Sequence, residues 1–182
     1  MNTVDPIRDI EQIRKMKDYL LTRNYRDYLL FILGINTGLR ISDLLNLKVS
    51  DVKDKYHIII KEQKTGKEKK FMLSDQMRLE IERYIEHKGA GEYLFNSKRN
   101  RSASIDRIMA YRILNEAAVA TGLETKIGTH TLRKTFGFHL YQQKKDVALL
   151  QYLFNHSSPS VTLRYIGINQ NVADEVMKGF NL

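Results

Sequence analysis

Two histidines, an arginine and a tyrosine lie close together in the last third of the chain, and all four side chains suit a phosphate ester. The stretch THTLRKTF holds His130 and Arg133, which share one face if a helix begins there. The stretch NHSSPSVTLRYIG holds His156, nine residues before Tyr165. An arginine offers a planar fork of donors to phosphate oxygens, and a tyrosine hydroxyl can act as a covalent nucleophile. The group therefore indicates chemistry at a phosphodiester.

A second candidate for phosphate binding lies in the stretch TGLRISDLL. Arg40 follows a glycine turn there and opens a predicted short helix that also carries Asp43. The free backbone N–H groups of a helix start would add to anion binding by the arginine. Each candidate also has an ordinary explanation. Arg40 and Asp43 can form a surface ion pair three residues apart, and Tyr165 can be a packed aromatic side chain.

Apolar spacing along the chain predicts a mainly α-helical fold with one small antiparallel β-sheet. The runs YHIIIKE (56–62) and FMLS (71–74) are predicted as two strands around the lysine-rich turn KTGKEKK. Ser74 and Thr129 are the predicted N-caps of the helices that follow them. The segment 92–97 is predicted as extended. The predicted helices cover 9–23, 26–38 ending at Gly38, 41–47, 75–87, 102–122, 130–143, 146–154, a segment after Pro159 that carries Tyr165, and 169–178.

Composition and charge narrow the classes of function. The chain has 182 residues, which fits one domain or two small ones. Its 30 Lys+Arg residues exceed its 21 Asp+Glu residues, and the net charge of +9 favours a polyanionic partner such as nucleic acid. The absence of cysteine excludes disulfides, zinc fingers and thiol catalysis. The longest apolar stretch, YLLFILGI, is too short to span a bilayer, and the charged N-terminus lacks the apolar core of a signal peptide. A cytoplasmic protein is predicted.

Taken together, the motifs resemble those of the catalytic domain of the tyrosine recombinase (phage integrase) family, over most of the chain. TGLRISDLL resembles the family's first arginine box, and QKTGKEKK resembles its lysine-bearing hairpin turn, with Lys64 as the lysine. HTLR resembles the H-x-L-R box, and TLRY resembles the tyrosine box. FNHSS resembles the LGHSS box, but Asn155 replaces its glycine and Phe154 replaces its leucine. The residue at 155 is expected to affect the loop that carries His156.

The resemblance implies the fold of the DNA breaking–rejoining enzymes and a cleavage by transesterification that needs no metal, cofactor or ATP. Tyr165 would attack the scissile phosphate and form a 3′-phosphotyrosine. The two arginines and His156 would bind the phosphate oxygens, His130 would help to accept the tyrosine proton, and Lys64 would protonate the leaving 5′-oxygen. The implied catalytic set is Arg40, Lys64, His130, Arg133, His156 and Tyr165, with Asp43 in support.

The resemblance also implies double-stranded DNA as the partner and self-association into a tetramer on it. The family pattern suggests that the tail, residues 169–182, docks on a neighbouring protomer, although the tail can also fold back onto its own core. One catalytic domain over residues 1–182 is expected, without the family's N-terminal core-binding domain, either as a fragment or as a naturally short member. The candidates for contacts to the DNA backbone are Lys69, Lys70, Lys98, Arg99, Arg101 and Arg107.

Three other functions remain open from the residues. A type IB topoisomerase shares the tyrosine chemistry, although the HTLR and FNHSS boxes are closer to those of recombinases. A non-catalytic DNA-binding regulator could keep the same fold, although the set of catalytic residue types is intact. An RNA-binding module is the weakest alternative, because nothing resembles aromatic side chains stacked on a sheet.

Overall fold

A computed structural model describes residues 4–61, 68–100, 102–124, 127–168 and 177–178 of the chain. Within these ranges the protein is mainly α-helical with one two-stranded antiparallel sheet, which confirms the predicted fold class. The elements are α1 (Ile10–Arg23), α2 (Tyr25–Thr37), α3 (Ile41–Asn46), a 3-10 turn (Val49–Asp51), β1 (His57–Lys61), β2 (Glu68–Met72), α4 (Asp75–Ile85), α5 (Arg107–Ala120), α6 (Thr131–Lys144), α7 (Val147–Phe154) and α8 (Pro159–Tyr165).

Local capping chemistry explains where several helices begin and end. The Ser74 hydroxyl accepts a hydrogen bond from the backbone N–H of Met77, so α4 begins where the sequence predicted. The α2 helix ends at Gly38, which has φ +65° and ψ +19°. This left-handed conformation favours glycine, and a Cβ at this position would clash with a ring carbon of Phe136. Both predicted boundaries are confirmed.

The second strand of the hairpin begins and ends earlier in the chain than the sequence predicted. β1 and β2 pair antiparallel, with Ile58 opposite Phe71 and Lys61 opposite Glu68. The second strand therefore begins at Glu68 and not near residue 71, because the ladder continues through residues that were predicted as turn. Residues 62–67, which include Lys64 and the first part of the predicted turn, lie outside the described residues.

One predicted helix start and one predicted helix cap are wrong. α5 begins at Arg107 and not near residue 102, because the Asp106 carboxylate accepts from the Met109 N–H at 2.7 Å and caps the helix there. α6 begins after His130, which occupies the N-cap position without a capping hydrogen bond from its side chain, so Thr129 is not the cap. The predicted extended segment 92–97 contains turns and two isolated bridges to other parts of the chain.

Two groups of buried apolar side chains hold the elements together. The larger group includes α2 residues such as Leu29, Leu30 and Phe31, which are fully buried. The smaller group consists of Leu150, Phe154 and Ile166, with partly buried side chains such as Tyr165 packed against it. The smaller group joins α6, α7 and α8, so it sets the position of the tyrosine that the sequence singled out.

An extended segment before α1, which we call the N-terminal strap (Val4–Arg8), is hydrogen-bonded to α6 and to the turn after α8. The Ile7 N–H donates to the Thr135 hydroxyl at 2.9 Å, and the Lys134 ammonium donates to the carbonyl of Val4 at 2.7 Å. The Arg8 guanidinium donates to the carbonyl of Gly167 at 3.2 Å. The strap therefore connects the two elements that carry the candidate site.

None of the helices within the described ranges is long and apolar enough to cross a membrane. The tail, predicted as a helix over 169–178, lies outside the described residues apart from Met177 and Lys178.

Candidate active site

Arg133 is held rigidly in the first turn of α6. Its side chain is buried, with 5% of the residue exposed. One terminal nitrogen donates to the carbonyl of Gly38 and the other donates to the carbonyl of Phe154 at 3.0 Å, while the guanidinium carbon lies 4.1 Å from the centre of the Phe154 ring. Burial lowers the pKa of Arg133 to about 10, so the group stays charged at neutral pH. A guanidinium has five N–H donors, so two backbone carbonyls leave donors to spare for a phosphate.

Tyr165 lies at the end of α8, with its hydroxyl beside a histidine. The hydroxyl oxygen is 3.3 Å from Nδ1 of His130, and its ring meets the ring of His156 edge-on at 4.9 Å between centroids. Burial raises the pKa of Tyr165, and the positive charges of Arg133 and Arg40 act in the opposite direction. The two arginines therefore stabilise the phenolate that a nucleophilic attack needs.

The surroundings of the two histidines of the site favour their neutral form. Burial lowers the pKa of His130 and of His156, and neighbouring positive charges lower each further. Neutral His130 has a nitrogen that can accept the proton of the Tyr165 hydroxyl. Nδ1 of His156 lies 3.1 Å from the hydroxyl of the buried Thr162, so Nε2 is the nitrogen that this contact leaves for a substrate.

Arg40 and Asp43 lie on the same side of the molecule as Arg133. Arg40 is exposed at the N-cap of α3, and it lines one cleft together with Asp43, Lys69 and Arg133. No ion pair joins Arg40 to Asp43 among the ion pairs of the described residues, so the alternative explanation of Arg40 as half of a surface pair is not supported. The charge of Asp43 instead favours the charged form of Arg133.

The structure thus brings Arg40, Asp43, His130, Arg133, His156 and Tyr165 into one site, and the position of Lys64 lies outside the description. Among the predicted DNA contacts, Lys70, Lys98, Arg99 and Arg107 are exposed, and Arg101 is outside the description. Arg107 is close enough for its charge to lower the pKa of His130. Lys69 differs from the others, because it is partly buried and its ammonium donates to the carbonyl of Tyr152 at 2.8 Å.

Four residues that sequence reasoning did not single out complete the site. Gly38 and Phe154 supply the carbonyls that hold Arg133. Thr162 contacts His156, and the Lys134 ammonium lies 5.2 Å from the centre of the Tyr165 ring. All four lie in or next to the recognised boxes, since Gly38, Phe154 and Thr162 belong to TGLRISDLL, FNHSS and TLRY, and Lys134 follows HTLR. No sequence pattern distinguishes a backbone carbonyl that binds arginine.

Asn155 has a structural reason for standing where glycine is usual. Its φ of 54° and ψ of 47° are left-handed, and it ends α7 as the C-cap. Asparagine tolerates this conformation better than most residues with a Cβ. The backbone N–H of His156 donates to the carbonyl of Gln151 at 3.1 Å, so the helix end closes and His156 meets Tyr165. The departure is therefore accommodated in the structure.

This backbone conformation predicts a ranking of two substitutions. Asn155→Ala and Asn155→Gly both remove the side-chain amide, but only alanine keeps a Cβ in the left-handed region. We expect Asn155→Ala to have a free energy of unfolding about 1 kcal/mol below that of Asn155→Gly. Urea unfolding of the two variants side by side checks this, and equal stability would contradict the assigned conformation.

A sequence model of the phage integrase family matches residues 8–171 of the chain. The chain belongs to the phage integrase family. It is 53% identical over 180 residues to the probable integrase/recombinase YoeC of Bacillus subtilis, a match that covers 99% of this chain and 98% of that relative. It is 29% identical over 175 residues to the tyrosine recombinase XerA of Pyrococcus furiosus, where it spans 94% of this chain but only 60% of the relative.

Solved structures of this phage integrase family have the same fold. The crystal structure of XerA recombinase matches with a TM-score of 0.77 at 21% identity, over 98% of this chain and 67% of that one. The catalytic domain of bacteriophage HP1 integrase matches with a TM-score of 0.64 at 22% identity, over 96% and 95% of the two chains. A λ integrase dimer bound to a core site matches with a TM-score of 0.67 at 22% identity, over 87% and 58%. The predicted family, fold and enzyme class, a tyrosine-type site-specific recombinase, are confirmed.

Proposed function

We propose that this protein cuts and rejoins duplex DNA at specific sites through a covalent bond between Tyr165 and a 3′-phosphate. The observation that carries the proposal is the environment of the Tyr165 hydroxyl. It lies 3.3 Å from a neutral histidine, His130, while two arginine charges oppose the effect of burial on its pKa. A phenol in this setting has a proton acceptor and cations to stabilise its anion.

The reaction exchanges one phosphodiester for another. The Tyr165 oxygen attacks the scissile phosphorus, its proton passes to His130, and the bond from phosphorus to the 5′-oxygen breaks. Arg40 and Arg133 donate to the non-bridging oxygens, where negative charge grows in the transition state. Fixed donors of this kind contribute about 3–4 kcal/mol each in other enzymes. Lys64 is proposed to protonate the leaving 5′-oxygen. Attack by a 5′-hydroxyl on the phosphotyrosine reverses the steps and frees Tyr165.

Double-stranded DNA is the proposed substrate. The protein carries a net charge of +9, and exposed basic residues such as Arg107 and Lys70 are available for backbone contacts. The λ integrase structure that shares this fold holds DNA. We further propose that the described helices belong to one catalytic unit and that four copies assemble on DNA with the tail, residues 169–182, docked on a neighbour. Deletion of the tail with unchanged assembly on DNA would refute its docking.

Covalent trapping is the direct test. The protein is incubated in EDTA and low salt with nicked duplexes that carry its candidate recombination sites, and the products are separated on a denaturing gel. An adduct that forms without metal supports the proposed reaction. Relaxation of any supercoiled plasmid would favour a type IB topoisomerase, and binding without an adduct on any duplex would favour a DNA-binding regulator.

Binding should depend strongly on salt, because lysine and arginine contacts to phosphates release counterions. If about six phosphates are contacted, raising the salt from about 50 to about 200 mM weakens the affinity by about 10³-fold. Fluorescence anisotropy on a labelled duplex across this range checks the expectation. An affinity that does not change with salt would contradict a backbone-dominated interface.

A further inference from the structure

Lys69 and Lys70 are neighbours in sequence but point to opposite faces of the hairpin. Side chains alternate along a strand, and in β2 Lys69 shares its face with the buried Phe71 while Lys70 is exposed. The register fixes this alternation, since Lys69 pairs with Ile60 and Lys70 pairs with the next residue toward the start of β1. The two lysines therefore have different surroundings, and one role for both is not expected.

The Lys69 ammonium sits at the C-terminal turn of α7. It donates to the carbonyl of Tyr152 at 2.8 Å and lies 3.5 Å from the carbonyl of Leu153. It is also 5.4 Å from the centre of the Tyr152 ring. The last carbonyls of a helix have no partner within the helix, and they form the negative end of its dipole. The Tyr152 carbonyl also accepts from the Asn155 N–H at 3.3 Å, and Lys69 adds a second donor there and a positive charge at the negative end of the dipole.

Arg133 binds the next carbonyl in the same turn. Its guanidinium donates to Phe154 at 3.0 Å, so the carbonyls of Tyr152, Leu153 and Phe154 all face a cation. The chain then passes through Asn155 to His156. The turn that Lys69 binds is thus the support for two proposed phosphate ligands, Arg133 and His156.

We propose that Lys69 is a positioning residue of the cleavage reaction and not a contact to the DNA backbone. It clamps the end of α7 against β2, and through that turn it fixes Arg133 and His156 for the phosphate. This inference rests on the proposed function. It also ties the hairpin to the helix end.

The test compares Lys69→Met with Lys69→Arg, Lys70→Met and the control Lys53→Met, whose lysine is exposed and is neither a site residue nor a predicted DNA contact. Single-turnover adduct formation is measured at saturating protein, and duplex affinity is measured across salt. Lys69→Met is expected to slow adduct formation at least tenfold with unchanged affinity and salt slope. Lys69→Arg should recover most of the rate, because a guanidinium can donate to the same carbonyls. Lys70→Met should lower the salt slope by about 0.9, and Lys53→Met should match the parent.

A double-mutant cycle separates positioning from a general loss of structure. If Lys69 acts through the α7 turn, Lys69→Met and His156→Ala together should slow adduct formation by less than the product of their separate effects. Multiplicative effects would overturn the proposed route. A drop of about 0.9 in the salt slope of Lys69→Met with an unchanged saturated rate would instead make Lys69 a DNA contact.

A measurement on the unaltered protein covers the case in which Lys69→Met fails to fold. Acetylation of lysines is followed by mass spectrometry with and without duplex DNA. Lys69 should react more slowly than Lys70 in the free protein, and DNA should protect Lys70 but leave Lys69 as it was. DNA protection of Lys69 equal to that of Lys70 would overturn the proposal. The salt slopes and the acetylation rates need no catalysis, so they decide whether Lys69 contacts DNA even in a protein that forms no adduct, an outcome that would refute the proposed function separately.

Discussion

Replacing Tyr165 with phenylalanine is expected to abolish the covalent adduct completely while leaving the fold and DNA binding intact. The substitution removes one oxygen and keeps the ring, which packs against Phe154 at 5.6 Å and against His156 at 4.9 Å between centroids. The removed hydroxyl lies 3.3 Å from Nδ1 of His130, and without this interaction the free energy of unfolding should change by no more than about 1 kcal/mol. A denaturing gel, thermal unfolding and anisotropy measure the three quantities.

Tyr141→Phe is the matched control. Tyr141 lies in α6 and packs partly buried against the same small apolar group, so it loses a hydroxyl from a comparable position. This variant should form the adduct as the parent does. An adduct that persists in Tyr165→Phe would place the nucleophile elsewhere, and loss of the adduct in both variants would mean that the assay reports the integrity of the fold.

Arg133→Lys is expected to have the second-largest effect, although it conserves the charge. The guanidinium spans the carbonyls of Gly38 and Phe154, which come from different elements, and a single ammonium cannot match that fork. Adduct formation should slow by about 10²–10³-fold, the usual cost of removing a fixed donor from a developing anion. Leaving one buried carbonyl without its donor should also lower the free energy of unfolding by about 1–3 kcal/mol.

The combination of slower cleavage and lower stability is the informative result. Arg14→Lys serves as control, because Arg14 forms an exposed ion pair with Glu11 and is expected to change neither quantity. Single-turnover trapping and urea unfolding are measured on the same preparations. A variant that keeps its stability but loses cleavage would show that Arg133 is not needed to join the two elements. A variant that loses stability but keeps cleavage would remove it from the phosphate site.

Local signals in the sequence predicted the boundaries that local chemistry sets. Ser74 caps α4 and Gly38 ends α2 as predicted, because each acts on backbone groups within a few residues. The start of α5 was predicted too early, since the helical apolar spacing continues upstream of Asp106 while the capping carboxylate stops the helix there. The correct and the incorrect boundaries are all set by local backbone chemistry. Only at the start of α5 did the apolar spacing indicate a different position from the capping residue.

The site itself could be predicted only as a set of motifs. Taken singly, Arg40, His130 and Tyr165 each had an ordinary structural explanation. Only the resemblance to a family indicated that they form one site. The face of the hairpin on which Lys69 lies could not be predicted, because it depends on where β2 begins. The sequence placed that start near residue 71, which left Lys69 in the turn, whereas pairing with β1 places it in the strand facing α7.

The N-terminal strap links the first described residues of the chain mechanically to the surroundings of Tyr165. Force applied to the chain ahead of Val4 passes through hydrogen bonds to Thr135 and Lys134 on one side and to Gly167 on the other. Gly167 is two residues after Tyr165. An affinity tag or fused protein joined at this end would be attached close to a segment that contacts the helix end carrying the tyrosine. Activity measurements should use preparations from which such a tag has been removed.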